Sequence, residues 1–260
     1  MMTRVYTAPE EIGAAAIRYF ATAVGSSCAG VAPPTMIFES NQYANVPRDA
    51  DGFAGHGWEL SFPGLKLVRG GNAYEFFQPA VATDVLTVTW RLASVTEKQA
   101  MQVVTSTATY ENQHGDLLGR NTETMIYVAP GRSALPAAAQ PLIGLPELVR
   151  TITLTDMVAY AGATWDWHRL HYDPEYLAQR GLDRPVVDGQ MFGALLAEQV
   201  QAHFGDAAVL TRLRFRFKSL VFAGETVRCT AQQVSDTEIN QLIQVGDRLA
   251  VTGAATVRLR

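Results

Sequence analysis

Asp166, His168 and His171 fall within six residues of one another, flanked by Trp165, Trp167 and Tyr172. A carboxylate and an imidazole this close form an acid/base pair able to exchange protons near neutral pH. Gly189 follows His171 after eighteen positions and opens the apolar run Met191-Phe192-Gly193-Ala194-Leu195-Leu196. A glycine at a helix start presents bare backbone N–H groups at the positive end of the helix dipole. Together these groups suit proton transfer beside a carbonyl whose oxygen gathers negative charge.

Those groups need a scaffold. Gly189–Phe204 is apolar nearly all round, so it reads as a helix buried on most sides. Ahead of it, Asp156–Ala163 reads as helical and Trp165–Tyr172 as a loop, with Asp173-Pro174 capping a short helix that Gly181 ends. Strands are predicted at Arg212–Lys218, Glu225–Val234, Glu238–Val245 and Leu249–Leu259. The first half runs similarly. Residues 8–25 read as a helix with Pro9 in its first turn, and Thr35–Phe38 is an apolar patch. Residues 41–71 read as irregular cover, with Arg69-Gly70-Gly71-Asn72 as a turn without chemistry. Ala73–Gln78, Val85–Leu92, Gln102–Asn112 and Leu117–Val128 alternate as an antiparallel meander. The prolines between Ala129 and Pro146 mark an extended surface linker.

The halves align with each other. Tyr19–Ala23 matches Ala159–Ala163, Tyr74–Phe76 matches Phe215–Phe217, and Gly115–Leu118 matches Gly246–Leu249, at offsets of 140, 141 and 131, so the order is kept with one contraction. A duplicated unit follows: residues 1–128, a linker at 129–150, and residues 151–260. In this register Ser26 falls opposite Asp166 and Val31 opposite His171, so the first copy lacks the acid and base.

Composition narrows the classes. The 260 residues are 48% hydrophobic and 18% charged, ordinary for a folded enzyme. A net charge of −4 with no basic run gives no footprint for nucleic acid. No apolar stretch is long enough to cross a bilayer, and the N-terminus lacks the apolar core of a signal peptide. Cys28 and Cys229, the only two cysteines, read as structural thiols of a reducing cytoplasm.

The order Tyr160-Ala-Gly-Ala-Thr-Trp-Asp166, His168, His171, then Val187 and Gly189, resembles the signature of MaoC-like dehydratases and (R)-specific enoyl-CoA hydratases. The resemblance implies an α+β double hot-dog fold, curved antiparallel sheets each wrapped around a central helix, with a degenerate N-terminal copy forming an acyl-binding tunnel. It implies hydration of a 2-enoyl thioester, or dehydration of a 3-hydroxyacyl thioester, carried on coenzyme A or an acyl carrier protein and needing no cofactor. Asp166 and His171 would be catalytic, and Gly189 would donate its N–H to the thioester oxygen. His168 stands where the family usually has asparagine, Arg169 where it has proline, and Asp188 where histidine is common before the glycine.

Other groups admit two readings. His168 is a substrate-facing donor or a supporting partner, or joins Asp166 and His171 around zinc or iron, though no other His or Cys supports a metal by spacing. Trp165 and Trp167 line the acyl tunnel or simply pack. Arg214, Arg216 and Lys218 bind the phosphates of the thioester carrier or form a solvated strand face. A thioesterase and a non-catalytic acyl-binding subunit are the rival functions, and a homodimer is the expected assembly.

Overall fold

In the computed structural model, residues 2–26, 30–41, 46–52, 58–129 and 138–260 are described. Cys28, His56 and residues 130–137 of the proline-rich linker lie outside them.

The chain runs β1 (Thr3–Thr7), α1 (Ala14–Val24), α2 (Met36–Glu39), β2 (Lys66–Phe76), β3 (Thr87–Lys98), β4 (Met101–Glu111) and β5 (Leu117–Val128). It continues with β6 (Leu148–Thr151), α3 (Leu154–Thr164), α4 (Pro174–Ala178), α5 (Gly189–Phe204), β7 (Ala208–Phe217), β8 (Thr226–Gln233), β9 (Glu238–Val245) and β10 (Arg248–Leu259). All ten strands join one antiparallel sheet in the order β1-β3-β4-β5-β2-β7-β10-β9-β8-β6. The two ends of that order mirror each other, β1 answering β6 and β3 answering β8. At its centre β2 pairs with β7, and Ala73 faces Arg214. Those two residues are 141 positions apart, the offset at which Tyr74–Phe76 aligns with Phe215–Phe217, so the pseudo-twofold axis passes through this pair. This is an α+β hot-dog fold with its sheets fused edge to edge, which leaves no edge strand exposed at the junction.

The core lies along α5. Leu195 and Leu196 are fully buried and Met191 nearly so, each stabilising the fold by roughly 1.5–3 kcal/mol. The helix approaches the sheet closely because glycines remove side-chain bulk. A Cβ on Gly193 would meet the Phe215 ring at 2.7 Å, and one on Gly253 would meet Leu196 at 2.8 Å. Helices α1 and α3 lie side by side and end alike: Gly25 and Trp165, 140 positions apart, both adopt the left-handed conformation.

Four elements differ from the sequence reading. Strand β1 was not foreseen, because its short, exposed edge carries no apolar alternation. Helix α1 starts at Ala14 rather than residue 8, since Ala8, Ile12 and Gly13 give their N–H groups to the carbonyls of Leu86, Asp84 and Ala82. Strand β2 starts at Lys66, and Arg69–Gly71 is a bulge within it rather than a turn. Finally, Val31 does not answer His171. Val31 bridges Val81 while Val186 bridges Phe222, and Ala32 and Val187 repeat the relation through Ala80 and Val221. Val81 and Phe222 are mates in the repeat, so Val31 answers Val186. The first copy therefore spans from Ser26 to Val31 what the second spans from Asp166 to Val186, and the whole acid/base loop is missing. Counting on, Pro33-Pro34 falls at Asp188-Gly189 and α2 at the first turn of α5, where it stops after four residues.

Candidate active site

Helix α3 delivers the site loop. Thr153 and Asp156 form a reciprocal cap at its start, worth about 1 kcal/mol. At its end Trp165 turns left-handed and releases the chain into the loop. Asp166 is buried at 6% exposure, and its Oδ1 accepts the N–H of His168 at 3.0 Å. A 3-10 turn at Arg169–His171 then swings His171 back over it. The Nδ1 of His171 lies 2.7 Å from the Val186 carbonyl, which can only accept, so Nδ1 carries the proton and Nε2 is the basic nitrogen of the neutral ring.

One donor atom each from Asp166, His171 and Asp188 lies within 4.8 Å of the other two. Asp188 caps α5, its Oδ1 accepting the Gln190 N–H at 2.9 Å. Met157, Tyr160, Ala161 and Met191 complete a small cleft around the three, with space for about one water. Gly189 follows Asp188 directly as the first residue of α5, where N–H groups lack intrahelical acceptors. A Cβ there would meet the Phe217 ring at 2.8 Å, so packing calls for glycine.

Burial, then repulsion from Asp166, raises Asp188 above the ordinary carboxylate range, while His171 and Arg69 act the other way. His168 is pushed down, first by burial and then by His171, which keeps it neutral. Its Nδ1 accepts the Leu170 N–H at 3.1 Å, and its ring packs between His171 and Tyr176. His168 thus shapes the turn. The metal set weighed above, Asp166 with His168 and His171, does not assemble. Among the described residues the donors close enough to share a cation are Asp166, His171 and Asp188.

The first half clasps this loop from outside. Arg48 donates to the Trp165 carbonyl at 3.2 Å, and the Asp51 carbonyl accepts the Arg169 N–H at 2.9 Å. Proline at position 169 could not make that second bond, which accounts for the absence of proline there. Tyr176 and Arg180 both reach the Asp51 carboxylate, and Gly52 passes so close that a Cβ would lie 2.4 Å from the Trp167 carbonyl.

The remaining candidates scatter. Trp165 and Trp167 pack edge to face at 6.1 Å, with Trp165 half exposed. Strand alternation turns Phe215 and Phe217 toward α5 and leaves Arg214, Arg216 and Lys218 exposed on the opposite side of the chain. Two groups were missed. Asp188 carried a legible signal, a capping residue directly before a buried helix. Arg69 carried none, because the Gly70-Gly71 bulge hides its strand; it reaches the site region, pairing with Glu123 at 3.1 Å within the field of Asp188 and Asp166.

Residues 144–255 match the family profile described as MaoC like domain, and residues 1–119 match that of the FAS1-like dehydratase domain region. The chain is 29% identical over 124 residues to the (R)-specific enoyl-CoA hydratase of Aeromonas caviae, covering 44% of this chain and 90% of that one. It is 26% identical over 107 residues to the mitochondrial 3-hydroxyacyl-[acyl-carrier-protein] dehydratase of Arabidopsis thaliana, covering 40% of this chain and 64%, under two thirds, of that protein. A MaoC-like dehydratase from Phytophthora capsici has a similar fold, with a TM-score of 0.79 at 17% identity over 99% of this chain and 95% of that one.

Proposed function

We propose that this chain, whose residues 144–255 match the MaoC like domain, reversibly hydrates a 2-enoyl thioester to the 3-hydroxyacyl thioester through Asp166 and His171. The observation that carries this reading is the convergence of Asp166, His171 and the start of α5 on one cleft. A water held between the carboxylate and the imidazole adds its oxygen to Cβ. The pair takes one proton from that water and returns one to Cα. Between the two steps the electrons of the double bond lie on the thioester oxygen, where the Gly189 N–H stabilises them. Dehydration runs the same path backwards.

The acyl chain is assigned to the first half. There α2 stops after one turn, and the irregular chain covers the inner sheet face, with Trp58 Nε1 donating to Ser106 Oγ at 2.8 Å and Phe62 against Tyr127. Pro34, aligned with Gly189, has no N–H to offer an oxyanion, so the first copy is read as a binding rather than a reacting unit. The thioester handle is coenzyme A or an acyl carrier protein, and the assembly is a homodimer. A cytoplasmic setting fits the buried free thiol of Cys229.

Incubating purified protein with a panel of 2-enoyl thioesters and following mass tests the reading. Gain of one water on the acyl group is expected. Release of free thiol without hydration would make the protein a thioesterase instead.

A further inference from the structure

The first half reaches the acid/base loop through the short segment 46–52, and within it Asp51 bonds the loop twice. Its backbone carbonyl accepts the Arg169 N–H at 2.9 Å, inside the 3-10 turn that carries His171. Its carboxylate accepts the Tyr176 hydroxyl at 2.8 Å and an N–H of Arg180 at 3.2 Å. Arg180 also lies over the Tyr176 ring, 3.3 Å from its centroid, so the three side chains form one cluster. A 3-10 turn of three residues has little stability of its own, and contacts from outside it decide where it sits. The Val186 carbonyl fixes the tautomer and tilt of the His171 ring, while the Asp51 carbonyl fixes the backbone two residues before it.

A second route runs through side chains. Tyr176 is buried, and its ring packs edge to face against His168 with centroids 5.7 Å apart. His168 packs in turn against His171, again at 5.7 Å. Asp51 therefore bears on His171 both through the turn's backbone and through a row of three rings.

We propose that Asp51 is a positioning residue for His171, so that the first half completes the acid/base site of the second. The proposal rests on the hydratase reading above for its kinetic effect, though not for the placement of the ring. Asp51 stands outside the cleft and acts through Arg169 and Tyr176.

Asp51→Ala removes the carboxylate anchor and leaves every residue of the cleft in place. Its kcat should fall roughly 10- to 10²-fold, the scale of a reacting group misplaced by about 1 Å. KM for a short-chain 2-enoyl thioester should change less than about threefold, since the loss falls on the transition state. Asp51→Asn keeps an oxygen for the Tyr176 hydroxyl and should hold kcat within about threefold of the parent. Tyr176→Phe cuts the same bond from its other end and should match Asp51→Ala. The double variant should lose little more than either single, because both break one link. A contact that only stabilised the surface would lower the melting temperature without separating kcat from KM or coupling the two residues.

The placement is also readable without substrate, from nitrogen-15 spectra of histidine-labelled protein. The Nδ1–H signal of His171 should shift in Asp51→Ala and return in Asp51→Asn. Parental kcat in Asp51→Ala, additive losses in the double variant, no recovery in Asp51→Asn, or an unmoved His171 signal would each overturn the proposal. A His171 signal that moves as expected, in a protein that hydrates no enoyl thioester, would support the placement and remove the assigned reaction.

Discussion

At the scale of single residues, the proposed hydration rests on two side chains acting on one water. Asp166→Asn keeps the shape of the carboxylate and its bond from His168 but loses the base, and His171→Ala removes the imidazole held by Val186. Each should cost roughly 10²–10⁴-fold in kcat. The double variant should cost little more than the worse single, since both serve one transition state. Steady-state kinetics of the four proteins decide it, and additive losses would break the pairing. His168 behaves differently because its Nδ1 already caps a turn. His168→Asn retains a short side-chain acceptor for the Leu170 N–H, so kcat should stay within about tenfold of the parent. A loss equal to that of His171→Ala would transfer the catalytic role to His168.

At the scale of elements, α5 serves both halves, and its C-terminal part carries a titratable group away from the cleft. Glu198 is buried, and burial pushes its carboxyl up to about 7 despite a hydrogen bond from Ser26, just beyond α1. The folded chain thus holds a proton there that the unfolded chain, near 4.5, gives up. Between pH 4.5 and 7 the native state binds more protons, so this contribution makes stability fall as pH rises through that window. Above pH 7 the ionised, buried form costs roughly 3 kcal/mol. Glu198→Gln should therefore melt several degrees higher than the parent at pH 8, with the difference shrinking toward pH 4.5. Thermal unfolding of both proteins at the two pH values checks this, and an equal shift at both would count against a titration origin. Ser26 aligns with Asp166 in the repeat, and its side chain hydrogen-bonds this carboxyl.

At the scale of the whole molecule, the seam between β2 and β7 makes the two copies one unit. Gly71 sits on that seam opposite Arg216, and a Cβ there would lie 2.2 Å from the Phe215 carbonyl oxygen. Neither backbone can yield without breaking the ladder, so Gly71→Ala should cost about 1–3 kcal/mol. The parent should unfold in one transition seen alike by circular dichroism and by tryptophan fluorescence, since Trp58 and Trp90 report on one half and Trp165 and Trp167 on the other. Gly71→Ala should lower the melting temperature by several degrees. An unchanged melting temperature would show that the seam contributes little to holding the halves together.

Local structure was readable from residue types because it depends on neighbours in the chain. The loop carrying Asp166 and His171, the cap at Asp173 and the limits of α5 follow from short-range spacing and from apolar residues on every side of one helix. The repeat offset near 141 likewise survives in the sequence, and β2–β7 pairing realises it. What tertiary structure alone decided are contacts between segments distant in the chain. Arg69 enters the site region because a glycine bulge re-aims β2, and Arg169 is tolerated because the Asp51 carbonyl needs its N–H. Val31 answers Val186 rather than His171 because backbone bridges, which leave no mark in residue type, set that register. Asp188 could be read as a cap from sequence, but only folding brings its carboxyl within 4.8 Å of Asp166, 22 positions away, since distance through space governs how strongly two charges repel.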